Sequence, residues 1–143
     1  MSRLKHNESI RHIMTKTLQT INVTTPLSTV GKIFSESSFH HLPVVSGTKF
    51  IGILSYLDLM RVSFPNAVGV NANQPVYEVL DHTTSVEEVM TKDAVTLSSD
   101  RTIRDAAEVL ANGKFHSLPI VDDGELVGMV TSGDLLKYLL DQY

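Results

Sequence analysis

The 143-residue chain contains no cysteine and no tryptophan, and only 6% of its residues are aromatic. The lack of cysteine excludes disulfide scaffolds, thiolate metal sites and cysteine nucleophiles. No apolar run approaches the roughly 20 residues that span a bilayer, and the opening residues, MSRLKHNESIRH, lack the apolar stretch of a signal peptide. We therefore expect a cytoplasmic protein that does not enter the membrane.

Long runs of one charge are also lacking, and the formal net charge is -4. This composition gives no support for binding to DNA or to anionic membranes, so any phosphate site must be local. Nucleotide, hydrolase and metalloprotease signatures (GxGxxG, Walker A, GxSxG, HExxH) and the EF-hand pattern are missing, and the six histidines show no ligand spacing on a helix. We expect no catalytic residues, no catalytic cofactor and no metal; a metal-dependent enzyme is the weakest hypothesis.

The chain does contain an internal repeat. An ungapped shift of 76 residues aligns residues 9–59 with residues 85–135, and 13 of these 51 positions are identical. Most of the other apolar positions exchange for apolar residues. A constant offset over this length indicates a duplication. We predict a first repeat at 9–62, a linker at 63–84 and a second repeat at 85–143.

Each copy shows the same sequence of local patterns. A short helical lead-in follows a Ser N-cap, Ser9 or Ser85. An amphipathic helix comes later; Pro26 suits its first position in the first copy, and Gly113 suits its C′ position in the second. β-rich stretches precede these helices at 18–23 and 94–97.

Two strands and a second helix, which starts at Ser55 or Thr131, complete each copy. The short segments between the strands, 46–49 and 122–125, contain turn-forming residues typical of β-hairpins. We expect a loop at 64–74 and a helical turn at 76–80. The predicted class is α/β: two βαββα repeats that pack sheet to sheet with pseudo-twofold symmetry, since one unit has too few strands to bury both faces of its sheet. The strand ranges are 41–45, 50–54, 117–121 and 126–130.

Six short motifs, in register in the two copies, resemble those of the cystathionine β-synthase (CBS) domain family, whose members occur as tandem pairs called Bateman modules. The resemblance covers nearly the whole chain. It implies a regulatory sensor that binds adenine nucleotides in the clefts between the repeats and pairs into a disk-like homodimer. Our hypothesis is that the ligand acts by favouring one orientation of the repeats or of the dimer. A further effector protein is an expected partner. The motifs are MTK at 14–16 and 90–92, FHHLPVV at 39–45, FHSLPIV at 115–121, GILSYLD at 52–58 and GMVTSGD at 128–134.

A hydroxyl residue ends a strand in each copy, and a carboxylate follows three residues later: Ser55 with Asp58, and Thr131 with Asp134. One interpretation is a capping box, in which the carboxylate accepts from the backbone N–H of the cap residue. The other is a ligand site, because a helix N-terminus attracts phosphate and a carboxylate accepts hydrogen bonds from ribose hydroxyls. By resemblance, the two acids match ribose-binding residues and the two hydroxyls match phosphate-side residues.

The resemblance also assigns the remaining candidate residues. Side chains before each Leu-Pro pair match basic residues that face phosphate in related modules. Histidine is a weaker phosphate ligand than arginine because it is mostly neutral at pH 7, so we expect AMP in preference to ADP, ATP or S-adenosylmethionine. The phosphate-side candidates are His40, His41, His116 and Ser117. The base-pocket candidates are Thr20, Thr96, Ile53 and Met129, and core packing is the alternative role for all four.

The main alternative is a ligand-free scaffold that only dimerises or binds another protein. It is favoured by the absence of arginine beside Leu42 and Leu118. Within the nucleotide hypothesis, the backbone at Gly133 allows a closer approach than Leu57 at the same position of the first copy. We therefore predict that the site of Thr131 and Asp134 binds more strongly.

Overall fold

The computed structural model describes residues 8–67, 76–113 and 115–143. The chain divides into two compact units. One comprises Gln19–Ala94, and the other combines Met1–Leu18 with Val95–Tyr143. No helix in the described ranges has the length and apolarity needed to cross a membrane.

The unit of Gln19–Ala94 holds a small sheet and four helices. β1 runs parallel to β2, and β2 pairs with β3 in antiparallel register. Its core lies on one side of the sheet, where Leu42, Val44 and Leu54 pack with residues of α1 and with Leu80. The elements are β1 (Ile21–Asn22), α1 (Leu27–Glu36), β2 (His41–Ser46), β3 (Lys49–Ser55), α2 (Tyr56–Ala67), α3 (Val76–Thr83) and α4 (Val86–Val89).

The other unit repeats this plan. A 3₁₀ turn at Ile10–His12 comes first, and β4 and β5 form an antiparallel hairpin. Leu118, Ile120 and Val130 pack with helix residues such as Ala106. The elements are α5 (Ile103–Asn112), β4 (Ser117–Asp122), β5 (Glu125–Thr131) and α6 (Ser132–Asp141). The predicted α/β class is therefore confirmed.

The compact units do not follow the order of the repeats. The lead-in of the first repeat packs in the unit that contains the second hairpin, where Ile10 is fully buried. The lead-in of the second repeat packs on the first hairpin, where Val86 and Met90 join the core. Each compact unit is thus built from parts of both repeats.

The hairpins were predicted correctly, and each extends slightly beyond its predicted range. Asp123 has φ 51° and Gly124 has φ 83°, the positive values that a tight two-residue turn between twisted strands requires. Both hairpins carry a register irregularity at the same place, after Val44 and after Ile120. The two copies therefore agree in backbone detail as well as in sequence.

Four local predictions need correction. Pro26 is the N-cap of α1 and not its first residue. Gly113 ends α5 with φ −93°, so no left-handed conformation is needed there. Only Ile21–Asn22 and an isolated bridge from Leu97 to Ile120 form in the predicted β-rich stretches.

The loop prediction at 64–74 was also partly wrong. Residues 64–67, predicted as loop, continue α2, and the predicted turn at 76–80 is the longer helix α3. Local turn residues signalled a break, but helix α2 continues for one further turn. The rest of the predicted loop, 68–74, lies outside the described residues.

Candidate functional site

The helix starts that follow β3 and β5 carry the predicted hydroxyl–acid pairs. Asp58 Oδ2 accepts from the backbone N–H of Ser55 at 2.9 Å, and Ser55 Oγ accepts from the N–H of Asp58 at 3.0 Å. Thr131 and Asp134 form the same pair of bonds at 2.9 and 3.1 Å. The capping-box interpretation is therefore confirmed as local geometry in both copies.

Capping occupies only one oxygen of each carboxylate. Asp58 Oδ1 lies 3.3 Å from the guanidinium of Arg61. Asp134 Oδ1, in contrast, has no ion-pair or hydrogen-bond partner among the described residues. The second acid therefore keeps an acceptor for a ligand hydroxyl that the first shares with Arg61.

Asp134 also lines an open cavity of about 370 Å³. Its other walls include His12 and two residues of the same helix face, Lys137 and Tyr138. Glu8 accepts hydrogen bonds from the Tyr138 hydroxyl and from His12 Nδ1. The hydrogen bond to Glu8 raises the pKa of the Tyr138 phenol. The same bond links the segment before the first lead-in turn to α6.

The strand candidates share one face of each hairpin. His41 pairs with Ser55, and Ser117 pairs with Thr131. Side chains alternate along a strand, so each pair lies on the face opposite the packed Leu42 or Leu118. Ile53 and Met129 lie two residues before Ser55 and Thr131 and therefore face the same way. The backbone brings these predicted phosphate and base candidates onto common faces.

Ser117 is the most unusual of these residues. It is 6% exposed, and its hydroxyl has no hydrogen-bond partner among the residues that the structure describes. A buried hydroxyl without a partner costs about 1–3 kcal/mol. Its position beside Thr131 places that unsatisfied hydroxyl next to the predicted phosphate-side hydroxyl.

The histidines before the strands are arranged differently. His40 and His116 both precede a strand, and their carbonyls accept from the N–H groups of Tyr56 and Ser132. The His40 ring lies 6.3 Å from the Tyr56 ring and lines a cleft along α1. Neither Ser55 nor Asp58 lines that cleft.

Thr20 and Thr96 are half-buried. Each precedes a residue that pairs with a strand: Ile21 pairs with β2, and Leu97 forms a bridge to β4. They lie in different compact units. No group of three or more potential metal ligands occurs within the described parts of the chain.

A polar cluster that sequence reasoning missed joins Arg11, Ser99 and Asp122. The Ser99 hydroxyl donates to Asp122 Oδ2 at 2.5 Å and accepts from Arg11 Nη2 at 2.8 Å. The Ser99 backbone N–H also donates to Asp122 Oδ1. These bonds from Ser99, together with the Arg11 charge, lower the pKa of Asp122. No spacing signal predicted the cluster, because its members lie in three separate segments.

Known proteins share both the sequence pattern and this fold. A CBS domain-containing protein of Dictyostelium discoideum is 30% identical over 133 residues, covering 92% of this chain and 90% of the relative. Some matching relatives are longer: the chain spans 41% of the uncharacterized protein MJ1232 of Methanocaldococcus jannaschii, at 28% identity over 96% of this chain.

Solved CBS pairs have the same architecture. CBSX2 in complex with AMP matches with a TM-score of 0.77 at 24% identity, covering 94% of this chain and 97% of that one. The CBS domain pair of MJ0100, in complex with 5′-methylthioadenosine and S-adenosyl-L-methionine, has a TM-score of 0.73 at 22% identity, with 94% and 98% covered.

The CBS-domain profile matches two segments of this chain, 10–65 and 86–141. These two matches cover most of the sequence and coincide with the duplicated motifs. The chain is a tandem pair of CBS domains and belongs to the CBS-domain family.

Proposed function

We propose that this chain is a regulatory, non-catalytic module that binds an adenine nucleotide, with AMP preferred over ADP, ATP and S-adenosylmethionine. The observation that carries the proposal is the start of α6. There Thr131 and Asp134 form a capped helix N-terminus that still has an unshared carboxylate oxygen. Related structures contain AMP or S-adenosyl-L-methionine, which supports an adenosine ligand.

The candidate residues fall into two groups, one that binds the phosphate of the ligand and one that binds its nucleoside. The hydroxyls of Thr131 and Ser117 provide donors for a phosphate, and the N–H groups of Ser132 and Asp134 at the start of α6 already donate to His116 and Thr131. Asp134 Oδ1 accepts from ribose hydroxyls, and Met129, which is 6% exposed on the strand face of Thr131, contacts the base. In the first copy, His41, Ser55, Asp58 and Ile53 have the same roles.

Two features favour the second copy as the stronger site. Asp134 Oδ1 is unshared, whereas Asp58 Oδ1 already contacts Arg61. The buried hydroxyl of Ser117 gains a partner when a ligand donor or acceptor reaches it. Both features support the sequence-based prediction that the site of Asp134 binds more strongly.

Regulation follows from differential binding. A ligand shifts a population only if it binds one arrangement of the module more tightly than another. An effector protein then binds the favoured arrangement.

The test uses a third capping box as its control. Thr102 and Asp105 cap α5 with the same reciprocal bonds at 3.1 and 3.0 Å but belong to no predicted ligand site. Asp134→Ala and Asp105→Ala should each lose about 1 kcal/mol of stability through the cap. In AMP titrations followed by calorimetry, Asp134→Ala should weaken binding about tenfold or more, and Asp105→Ala should leave it unchanged. Equal AMP affinities in the two variants would refute the ligand role of Asp134.

Dimerisation, which the sensor and the scaffold hypotheses share, also has an observation in its favour. An apolar groove of about 600 Å³ lies between α5 and α6, lined by residues such as Leu110 and Leu135. Leu136, which also lines the groove, is 62% exposed, and Leu140, which does not line it, is 71% exposed. An exposed apolar ridge next to an apolar groove allows two identical copies to associate, because the ridge of each copy can pack into the groove of the other. We propose this face as the homodimer contact.

Sedimentation velocity tests the dimer contact with a matched pair of variants. Leu136→Lys should shift the protein towards monomer. Leu57→Lys changes a side chain that is equally exposed, at 64%, on α2, and it should not. Dimerisation that survives Leu136→Lys would exclude this face as the contact.

A further inference from the structure

The two copies differ in what covers the groove between their two main helices. In the second copy, all described residues that line the groove between α5 and α6 (the second groove) belong to these two helices. In the first copy, α3 packs against both α1 and α2, across the equivalent groove (the first groove). The segments that the 76-residue offset aligns do not include α3. The first groove is therefore covered by an element that the duplication does not account for.

The cover extends along α2. Leu59 is fully buried, whereas Leu135, which has the same position in α6, is half-buried and lines the second groove. One turn later, Ser63 is 6% exposed, and the equivalent Leu139 is 40% exposed. In the first copy, α3 therefore buries a helix face that is accessible in the second copy.

Two adjacent residues hold α3 in the first groove. Leu80 is fully buried in the same cluster as Leu27 of α1 and Leu59 of α2. The Asp81 carboxylate accepts from the Ser28 N–H at 2.9 Å, at the start of α1. An apolar contact and a hydrogen bond to the backbone thus fix α3 in place.

The residues of the covered face also differ from those of the open one. The Ser63 hydroxyl donates to the Leu59 carbonyl at 2.7 Å, so this small side chain is satisfied within α2. The second copy has Leu139 at that position, and Leu136 beside it is 62% exposed. Exposed apolar side chains around a groove are typical of surfaces that bind another chain. Such a surface is open in the second copy and covered in the first.

From this arrangement we infer that α3 is an internal occupant of the first groove, where it closes the association face that the second copy leaves open. The inference rests on the proposed dimer contact at α5 and α6, because it assigns the equivalent face of α1 and α2 to a helix of the same chain. This chain then dimerises through the second groove alone. Displacement of α3 opens a further face to which a second copy binds, so the position of α3 sets the number of association faces.

Lysine substitutions at equivalent positions of the two grooves test the closed face in a folded chain. Met60 is half-buried on α2 and is the equivalent of Leu136 at the 76-residue offset. In sedimentation velocity, Leu136→Lys should raise the dimer dissociation constant about tenfold or more, and Met60→Lys should change it less than about twofold. Equal losses in the two variants would show that a second copy binds the first groove as well, and would overturn the inference.

Displacement of α3 is the opposite measurement. Leu80→Ala together with Asp81→Ala removes both contacts that fix α3. The double variant, if circular dichroism shows it folded, should form defined species larger than the dimer, and Met60→Lys in the same chain should abolish them. Leu54→Ala removes an equally buried leucine of the same cluster but lies in β3, and it should form no larger species. Larger species in Leu54→Ala, or none in the folded double variant, would contradict the inference.

Ser63→Leu provides a second route if the double variant does not fold. It installs the residue of the second copy beneath α3, where the added volume forces the helix outward without removing a core contact. Ser63→Leu should form the larger species, and Ser63→Ala, which leaves the space for α3 unchanged, should not. Identical sedimentation of these two variants would overturn the inference.

The state of the parent chain separates this inference from the proposed function. A monomeric parent, unaffected by Leu136→Lys, would refute the dimer contact at α6. The inference about α3 is refuted instead by variants that lose the α3 contacts, remain folded and gain no association through the face of Met60. The two failures are therefore distinguishable.

Discussion

Gly52 lies so close to Thr91 that a Cβ atom on the glycine would be 2.6 Å from the Thr91 carbonyl oxygen. Beside this contact, Ile53 and Thr91 exchange two backbone hydrogen bonds at 3.0 and 2.8 Å. The second copy repeats the arrangement, with Thr15 bonded twice to Met129 beside Gly128. The duplicated glycine and Met-Thr motif thus form a backbone junction between lead-in and hairpin.

The first prediction concerns this junction. Gly52→Ala should destabilise the protein by about 1–3 kcal/mol, because the added methyl meets backbone that cannot rotate away. Urea unfolding measures the loss.

Gly133→Ala is the matched control, since its Cβ would have 3.6 Å to its nearest neighbour. That change should be neutral or stabilise α6 by up to about 1 kcal/mol. If the two substitutions cost the same, steric contact at Gly52 is not the cause.

The second prediction concerns Ser117. Ser117→Ala removes a buried hydroxyl that has no partner among the described residues, and stability should rise by about 1 kcal/mol. AMP binding should weaken, because the hydroxyl is proposed to contact the ligand. Thermal unfolding measures the gain in stability, and calorimetric titration measures the loss of AMP affinity.

Ser63 provides the comparison. It is equally buried, at 6% exposure, but its hydroxyl donates to the Leu59 carbonyl at 2.7 Å. Ser63→Ala should therefore lower stability without changing AMP affinity. A loss of stability in Ser117→Ala would show that its hydroxyl has a partner in solution.

The third prediction concerns acid stability at Asp122. Ser99 lowers the pKa of this carboxyl in the folded protein, so the stabilisation is fully present above the ordinary aspartate value of about 3.9 and is lost as the pH falls through the lower folded value. The free energy of unfolding of Asp122→Asn should be lower than that of the parent at pH 7, and this gap between the two proteins should narrow below about pH 4.

Denaturant unfolding at several pH values measures this gap. Asp123→Asn changes the neighbouring acid, which is exposed in the hairpin turn, and should show no such narrowing. A pH-independent gap for Asp122→Asn would mean that the carboxylate charge is not responsible.

The fourth prediction concerns the start of α1. Pro26 gives this helix no side-chain cap, and Asp81, 53 residues away from Ser28, accepts from the Ser28 N–H instead. Asp81→Ala should cost about 1 kcal/mol. Pro26→Ser supplies a local cap, so the cost of Asp81→Ala should fall in that background.

A double-mutant cycle measures this coupling. Additive effects of the two changes would indicate that Asp81 stabilises the fold in some other way. Asp81→Asn, which keeps an acceptor oxygen, should retain part of the cap.

Local patterns predicted local structure well. The Asp-Gly turn, the Ser9 and Ser85 caps and the two capping boxes depend on bonds between residues a few positions apart. Those bonds form in the same way wherever the segment is placed. The end of α5 at Gly113 shows the limit of this reasoning, because an extended glycine ends a helix without the left-handed conformation that its identity suggested.

The candidate site was only partly predictable. The resemblance assigned Ser117 and Thr131 to the phosphate side, and the hairpin register places the two residues on one strand face. The burial of the Ser117 hydroxyl and the gathering of His40 and Tyr56 around one cleft were not visible in the spacing. Both depend on which helices pack beside the strands.

The sequence by itself determined the duplication, the order of strands and helices and the capped helix starts, because periodicity and short-range hydrogen bonds depend on residues that are close together in the chain. Only the tertiary structure decided that each lead-in packs with the hairpin of the other repeat. It also decided that Asp81 caps α1. The physical reason is that such contacts join distant segments through shape and burial, and no local pattern specifies which distant partner they meet.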